Sequence, residues 1–283
     1  MSSSLILLLA LIVLLLGAIT IYLLRTGWKM IVVAFCLAML ALVMLRQHEF
    51  KAAINRWKQL DFMKEEASLR RVVSTFIEED IKPFVLLDAP LISQLPELPR
   101  GCEVTSLAML LQDAGVKVDK ITLAKQVKKD PTPFQRRNGK VYFGNPHDGF
   151  VGDMYSLTTP GLGVYHEPIE QLAKKYLPHR IVNLTGSDFS ELQKYLSQGS
   201  PIWIITNSTF KKLPASAFRE WDTPSGPIQI TYYEHSVVIT GYDKDYIYFN
   251  DPLKKTKNQK APKAEFLDAW VQMGRQAITY QSD

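Results

Sequence analysis

Cysteine is scarce in this chain: 283 residues carry two, Cys36 and Cys102. One of them sits inside an apolar run, so no disulfide framework can staple the fold and cysteine usage says nothing about the compartment. Charge of one sign is also in short supply. The formal net charge is +5, with basic residues spread along the chain, which argues against a nucleic-acid binder and is neutral about an anionic membrane surface. There is no internal repeat, no low-complexity tract and no phosphate-binding loop of the form GxxxxGK[ST]. What remains is a length sufficient for one domain with a real core, plus additions.

Long apolar runs are present at the N-terminus. Residues 5–24 read LILLLALIVLLLGAITIYLL and residues 30–45 read MIVVAFCLAMLALVML, with Trp28, Lys29 and Arg46 at their borders. About 20 helical residues span a bilayer core, and neither a charged n-region nor a cleavage site marks a signal peptide. The expectation is a transmembrane helical hairpin over 1–46, with Cys36 as a small apolar side chain within it. Residues 47–83 repeat apolar positions at three- and four-residue steps, from Phe50 to Ile77, which predicts an amphipathic helical stalk packed on the domain. Lys82-Pro83 closes it, and the catalytic domain is expected over 84–283.

That domain alternates helical and extended patterns. Helices are predicted over 102–113, 121–129, 168–177, 189–199 and 262–273, and strands over 201–206, 235–242 and 245–250. Helices come first and most strands later, an α+β arrangement with one helix packed on an antiparallel sheet. Trp203 and Trp221 are expected in the core or at its rim. The stretch 207–231 precedes a strand and is expected to overhang a cleft.

The stretch ISQLPELPRGCEVTSL, residues 92–107, places Cys102 after Gly101 at a helix start. The unsatisfied N–H groups and dipole there favour a thiolate. A nucleophilic cysteine needs a base, and of the five histidines only His235 heads a strongly strand-like run. In HSVVITGYDKDYIYFND, pairing symmetric about Asp243 sets position 235 opposite 251, so Asp251 can orient the imidazole. A one-residue slip in register offers Asn250 instead. Gln94, in a loop stiffened by Pro96 and Pro99, supplies an amide that with the Cys102 N–H can face an oxyanion.

Read together, Gln94, Gly101-Cys102-Glu103, Thr105 to Met109, Glu234-His235-Ser236-Val237-Val238 and Asn250-Asp251-Pro252 resemble the peptidase C-39-like family. These are papain-like cysteine peptidases related to the double-glycine leader peptidases. GNPHDGFVGDMYS at 144–156 and GLGVYHEPIEQLAKKY after it resemble the bacterial branch. The resemblance covers about residues 85–280 and implies a papain-like α+β fold, with Cys102 as nucleophile, His235 as general base, Asp251 as orienter and Gln94 in the oxyanion hole. It also implies a membrane-anchored protein whose catalytic domain lies outside the cell. The core here is Gly-Cys-Glu where the leader peptidases have Asp-Cys-Gly, and the sequence holds no phosphate-binding loop of the kind an export ATPase carries, so leader cleavage is not implied.

No metal and no cofactor are expected. His147, Asp148 and Asp153 fall within seven residues, but without a further His or Cys nearby they read as a loop lining the substrate groove, turned by Gly144, Gly149 and Gly152. The function expected is a membrane-anchored cysteine peptidase or amide hydrolase acting on a peptide or protein. Its partners are that substrate and, through the hairpin, membrane lipid, with no nucleic acid. The alternatives are a catalytically silent module gripping a peptide or partner on the same fold, and a cell-wall transpeptidase or amidase.

Overall fold

The computed structural model describes residues 3–24, 32–33, 35–42, 44, 46 and 81–282. The chain divides into two units, 1–75 and 76–283. In the first, helix α1 runs Ser3–Leu24. Among the described residues no helix is long and apolar enough to cross a membrane, and this overturns the hairpin expected at 5–24 and 30–45. A hairpin needs two segments of about 20 apolar residues each. The second apolar run, residues 30–45, has sixteen. The stalk expected over 47–83 lies outside the described residues except for its last three.

The second unit mixes helix and sheet, as the alternating patterns predict. Its main sheet has seven strands, in the order β12-β11-β10-β7-β13-β6 with β1 also against β10. These are β1 Val85–Leu86, β6 Ile181–Asn183, β7 Ile202–Asn207, β10 Glu234–Tyr242, β11 Tyr246–Asn250, β12 Gln259–Pro262 and β13 Ala277–Tyr280, and every pairing among them is antiparallel.

The apolar run Ile202 to Ile205 in β7 has a physical cause. Both faces of the sheet are covered there, so successive side chains of this central strand enter apolar cores on either side. Trp203 and Ile205 enter one core with Leu107, Leu110 and Leu111, while Ile202 and Ile204 enter the opposite core with Phe266 and Trp270. The first core is built by α2 (Cys102–Asp113), α3 (Lys120–Gln126) and α4 (His166–Tyr176). The second is closed by α5 (Phe189–Ser197) and α6 (Lys263–Gln272).

Helix α2 is buried from Cys102 through Leu111, which explains its sequence, CEVTSLAMLLQD, with no charged face. It is tied to the sheet by Ser106 Oγ donating to Ser236 O (3.1 Å) and Trp203 Nε1 donating to Glu103 O (3.0 Å). A four-stranded sheet, β3 (Gln135–Arg137), β4 (Lys140–Tyr142), β8 (Arg219–Thr223) and β9 (Gly226–Ile230), lies over a small cluster of Phe143, Val151, Leu162, Trp221 and Ile230. Two short strands, β2 (Lys129–Asp130) and β5 (Phe150–Val151), pair in parallel. The two tryptophans singled out by sequence are core residues, 0% and 3% exposed at Trp203 and Trp221.

Candidate active site

Cys102 is the first residue of α2, after Gly101 at the N-cap. A side chain at Gly101 would set its Cβ 2.5 Å from Leu98 Cβ, so the turn entering the helix closes only around a glycine. His235 is the second residue of β10 and pairs across to Thr206 of β7. Ser236, the next residue, is where α2 docks. The helix start and the strand start therefore meet at one end of the sheet.

His235 Nε2 lies 2.8 Å from Asp251 Oδ1, and both side chains are buried. The symmetric register is not the one formed. The pairing runs Tyr242↔Ile247 beside the turn and, past a bulge between Ile239 and Gly241, Val238↔Asn250, so 235 and 251 are diagonal neighbours, within reach for long side chains. Asn250 is committed elsewhere: its amide nitrogen donates to Ala89 O and Pro90 O at 3.0 Å, and its oxygen accepts from Asn258 N. Asp251 Oδ1 also accepts from Leu253 N (2.9 Å). Burial pushes the Asp251 carboxyl up, yet the hydrogen bond and charge of His235 hold it below the usual carboxylate range.

Gln94 is buried, but its amide does not offer a free donor. Nε2 donates to Leu98 O (3.1 Å) and Pro99 O (3.0 Å), occupying both hydrogens, while Oε1 is buried without a partner. Cys102, His235 and Gln94 line one cleft of about 240 Å³, with Arg100, Leu157, Gly161, Leu162, Ser208, Tyr232, Glu234 and Leu253 around it. Ser208 lies within the stretch 207–231 expected to overhang this cleft, and Tyr232 directly follows it.

The thiol is not poised as a thiolate. It donates to Glu103 Oε2 at 3.3 Å, and burial, then the charges of Glu103 and Glu234, push it well above an ordinary cysteine. The helix dipole favours a thiolate by about 0.3–1 kcal/mol, up to ~2, whereas full burial shifts a group by as much as 3–5 units. Desolvation wins here.

Glu103 and Glu234 are the site residues that the sequence reading passed over as chemistry, although they stand next to Cys102 and His235 in the motif itself. Glu103 is fully buried; its Oε1 accepts from Val164 N (2.7 Å), and burial pushes it up to about 7 against that bond. Glu234 is raised well above an ordinary carboxyl by burial and by Glu103, and its Oε1 is buried without a partner. Two carboxyls in so dry a place cannot both ionise cheaply, so the pair holds a proton at neutral pH. Gly163 packs directly on Glu103 Oε1 and lies 2.8 Å, by its virtual Cβ, from Glu234 Oε2. Gly163→Ala is accordingly expected to cost about 1–3 kcal/mol, read as a drop in the urea midpoint at unchanged slope.

Two groups of side chains, among the described residues, bring ligand atoms within 4.8 Å of one another: Cys102, Glu103 and Glu234, and separately His147, His166 and Glu167. The first surrounds the thiol. The second lies outside the cleft.

The comparisons with known proteins follow this geometry. Residues 86–278 match the model of the Peptidase_C39 like family, a span that holds Gln94, Cys102, His235 and Asp251. The chain belongs to the peptidase C39-like family. This C39-like protein is 48% identical over 197 residues to the uncharacterized protein YvpB of Bacillus subtilis (strain 168), across 69% of its own length and 75% of the relative's. It is also similar to the crystal structure of a candidate C39-like peptidase from Bacillus anthracis. That match has a TM-score of 0.67 and 50% identity, and covers 71% of this chain and 99% of the other. None of these matches supports the membrane-anchored character expected from the N-terminal runs.

Proposed function

We propose that this C39-like protein is a cysteine peptidase-like amide hydrolase in which Cys102 attacks, His235 takes the thiol proton and Asp251 orients the imidazole. The observation that carries the reading is the buried 2.8 Å bond between His235 Nε2 and Asp251 Oδ1, in a cleft that Cys102 also lines. With Nε2 donating to the carboxylate, Nδ1 is left as the unprotonated base for the thiol.

The thiol is neutral at rest, so attack requires general-base removal of its proton rather than a standing ion pair. Sγ then bonds the scissile carbonyl carbon, and the oxyanion is met by the Cys102 N–H, which as a first-turn donor has no intrahelical acceptor. His235 returns the proton to the leaving amine, and water hydrolyses the thioester. Gln94 braces the 94–99 turn at rest and becomes a second oxyanion donor by giving up Pro99 O.

A second reading, a silent peptide-binding module, is favoured by the raised thiol and by the occupied Gln94 amide. The full chain and its Cys102→Ala variant, each incubated with a peptide library and read by mass spectrometry, decide between them. Cleavage products formed by the wild type and absent with Cys102→Ala support the hydrolase. Peptides retained intact and equally by both proteins would sink it.

A further inference from the structure

We propose that His147, His166 and Glu167 form a binding site for one divalent transition ion of the zinc type, outside the catalytic cleft. The sequence sets His147 near two aspartates, Asp148 and Asp153, and the fold gives both other work. Asp148 accepts from Ser225 Oγ at 2.5 Å, and Asp153 accepts from Tyr155 N and Thr159 Oγ1 at 2.8 and 2.7 Å. In their place it brings up a second histidine and a glutamate, the first two residues of α4.

His147 Nδ1 lies 2.8 and 2.9 Å from the two oxygens of Glu167, and His166 Nδ1 lies 3.3 Å from Glu167 Oε2. Ligands held tetrahedrally at about 2.0–2.2 Å from zinc stand roughly 3.3 Å apart. His166 is therefore already spaced for a shared ion, and His147 needs to open by a few tenths of an ångström. Two imidazoles and one carboxylate are a zinc-type donor set with an open fourth position; hard ions such as calcium and magnesium want oxygen alone.

The ligands are held from behind. Gln276, 4% exposed, donates through Nε2 to Met273 O (2.9 Å). That fixes its Oε1 against the backbone N–H of His166 (3.0 Å), anchoring the first turn of α4; the same oxygen lies 3.2 Å from His166 Nδ1, a contact the ring gives up when Nδ1 takes the ion. The turn carrying His147 is fixed by His147 N donating to Asn145 Oδ1 (3.0 Å) and by Tyr165 N donating to Pro146 O (2.8 Å), which ties it to the residue that caps α4. Such backing orients metal ligands before the ion arrives. His147 and Glu167 are partly exposed, and a cavity of about 190 Å³, lined by both histidines and Gln276 together with Tyr165, Phe218 and Met273, opens beside them, so an ion has a way in.

The test uses the untagged full chain carrying Cys102→Ala, which keeps the active-site thiol from contributing. Zinc is titrated by calorimetry, cobalt(II) by its visible absorption, and the thermal midpoint is read with and without zinc. One zinc per chain, a midpoint raised by several degrees and four- or five-coordinate cobalt bands are expected. His147→Ala and the equally sized Glu167→Gln, both folded by their metal-free midpoints, are expected to weaken zinc binding by about 100-fold or more. Failure to bind zinc at micromolar concentration, or binding unchanged by either substitution, would overturn the site and leave the three groups as a hydrogen-bonded surface cluster.

Discussion

Asp251→Asn is expected to lower kcat for amide hydrolysis on the order of 10⁴-fold, the size that removing the orienting carboxylate has in serine triads. The carboxylate does two things at 2.8 Å from His235 Nε2. It holds the tautomer that leaves Nδ1 free as a base, and it stabilises the imidazolium formed once the thiol proton arrives. An asparagine keeps the size and the acceptor for Leu253 N, but it carries no charge. Its amide can also turn toward Nε2 and reverse the tautomer, leaving a base with its lone pair on the wrong side. His235→Ala, which removes the base outright, is expected to cost at least as much. Because members of one catalytic unit are not additive, the double variant should be no slower than the worse single. The check is kcat/KM against pH for the three variants on whichever peptide the library yields. Asp251→Asn within tenfold of wild type would dismiss the assignment of Asp251, and with it the oriented base.

Between pH 5 and pH 8 the wild-type protein is expected to lose about 3 kcal/mol of stability through Glu103 alone. Its carboxyl is raised from 4.5 in the reference state to about 7 in the fold, chiefly by burial. A raised acid contributes stability that is fully present below the unfolded pKa and is lost as pH climbs through the folded one. The loss begins near pH 4.5 and is nearly complete above pH 7; the roughly 2 units of it that fall inside the window, at about 1.36 kcal/mol each, set its size. Glu234 acts in the same direction. Asp251, held low, acts in the opposite direction, and its contribution disappears only in acid below this window.

Glu103→Gln keeps an acceptor for Val164 N and removes the titration. Its urea midpoint should therefore fall less steeply from pH 5 to 8 than the wild type's, the slope that remains being that of the buried Glu234. The same substitution removes a negative charge beside Sγ, so Cys102 should alkylate faster with iodoacetamide at pH 8 than in the wild type. A wild-type stability indifferent to pH across this window, or a Glu103→Gln profile that still falls by the full amount, would show that Glu103 is not the titrating group.

Much of this was legible from local pattern. The helix predicted over 102–113 is the one formed, Cys102–Asp113, and β7 and β10 lie within a residue or so of their predicted bounds. Periodicity and β-branched runs are short-range signals that survive into the fold. The four-stranded sheet was missed because β8 and β9, REWDT and GPIQI, are mostly exposed or half-buried and carry no uninterrupted apolar run. The hairpin register was misjudged because the turn is longer than symmetry about Asp243 assumes: Asp243 accepts from Asp245 N and Tyr246 N, so Tyr242 pairs with Ile247, and the bulge at Ile239/Gly241 takes back only one residue of that offset.

By itself the sequence determined which chemistries were available: a cysteine at a helix start, a histidine heading a strand, an aspartate after the next one, and glutamates beside the first two. Tertiary structure alone decided their states. Glu103 and Glu234 stand 131 positions apart in the chain (234 − 103), yet both are packed against one thiol, where loss of water raises all three groups together. His147 acquires His166 and Glu167 in the same manner. Residue type is written locally, whereas proton affinity and ligand geometry depend on the distance to charges, dipoles and water, and folding sets those distances.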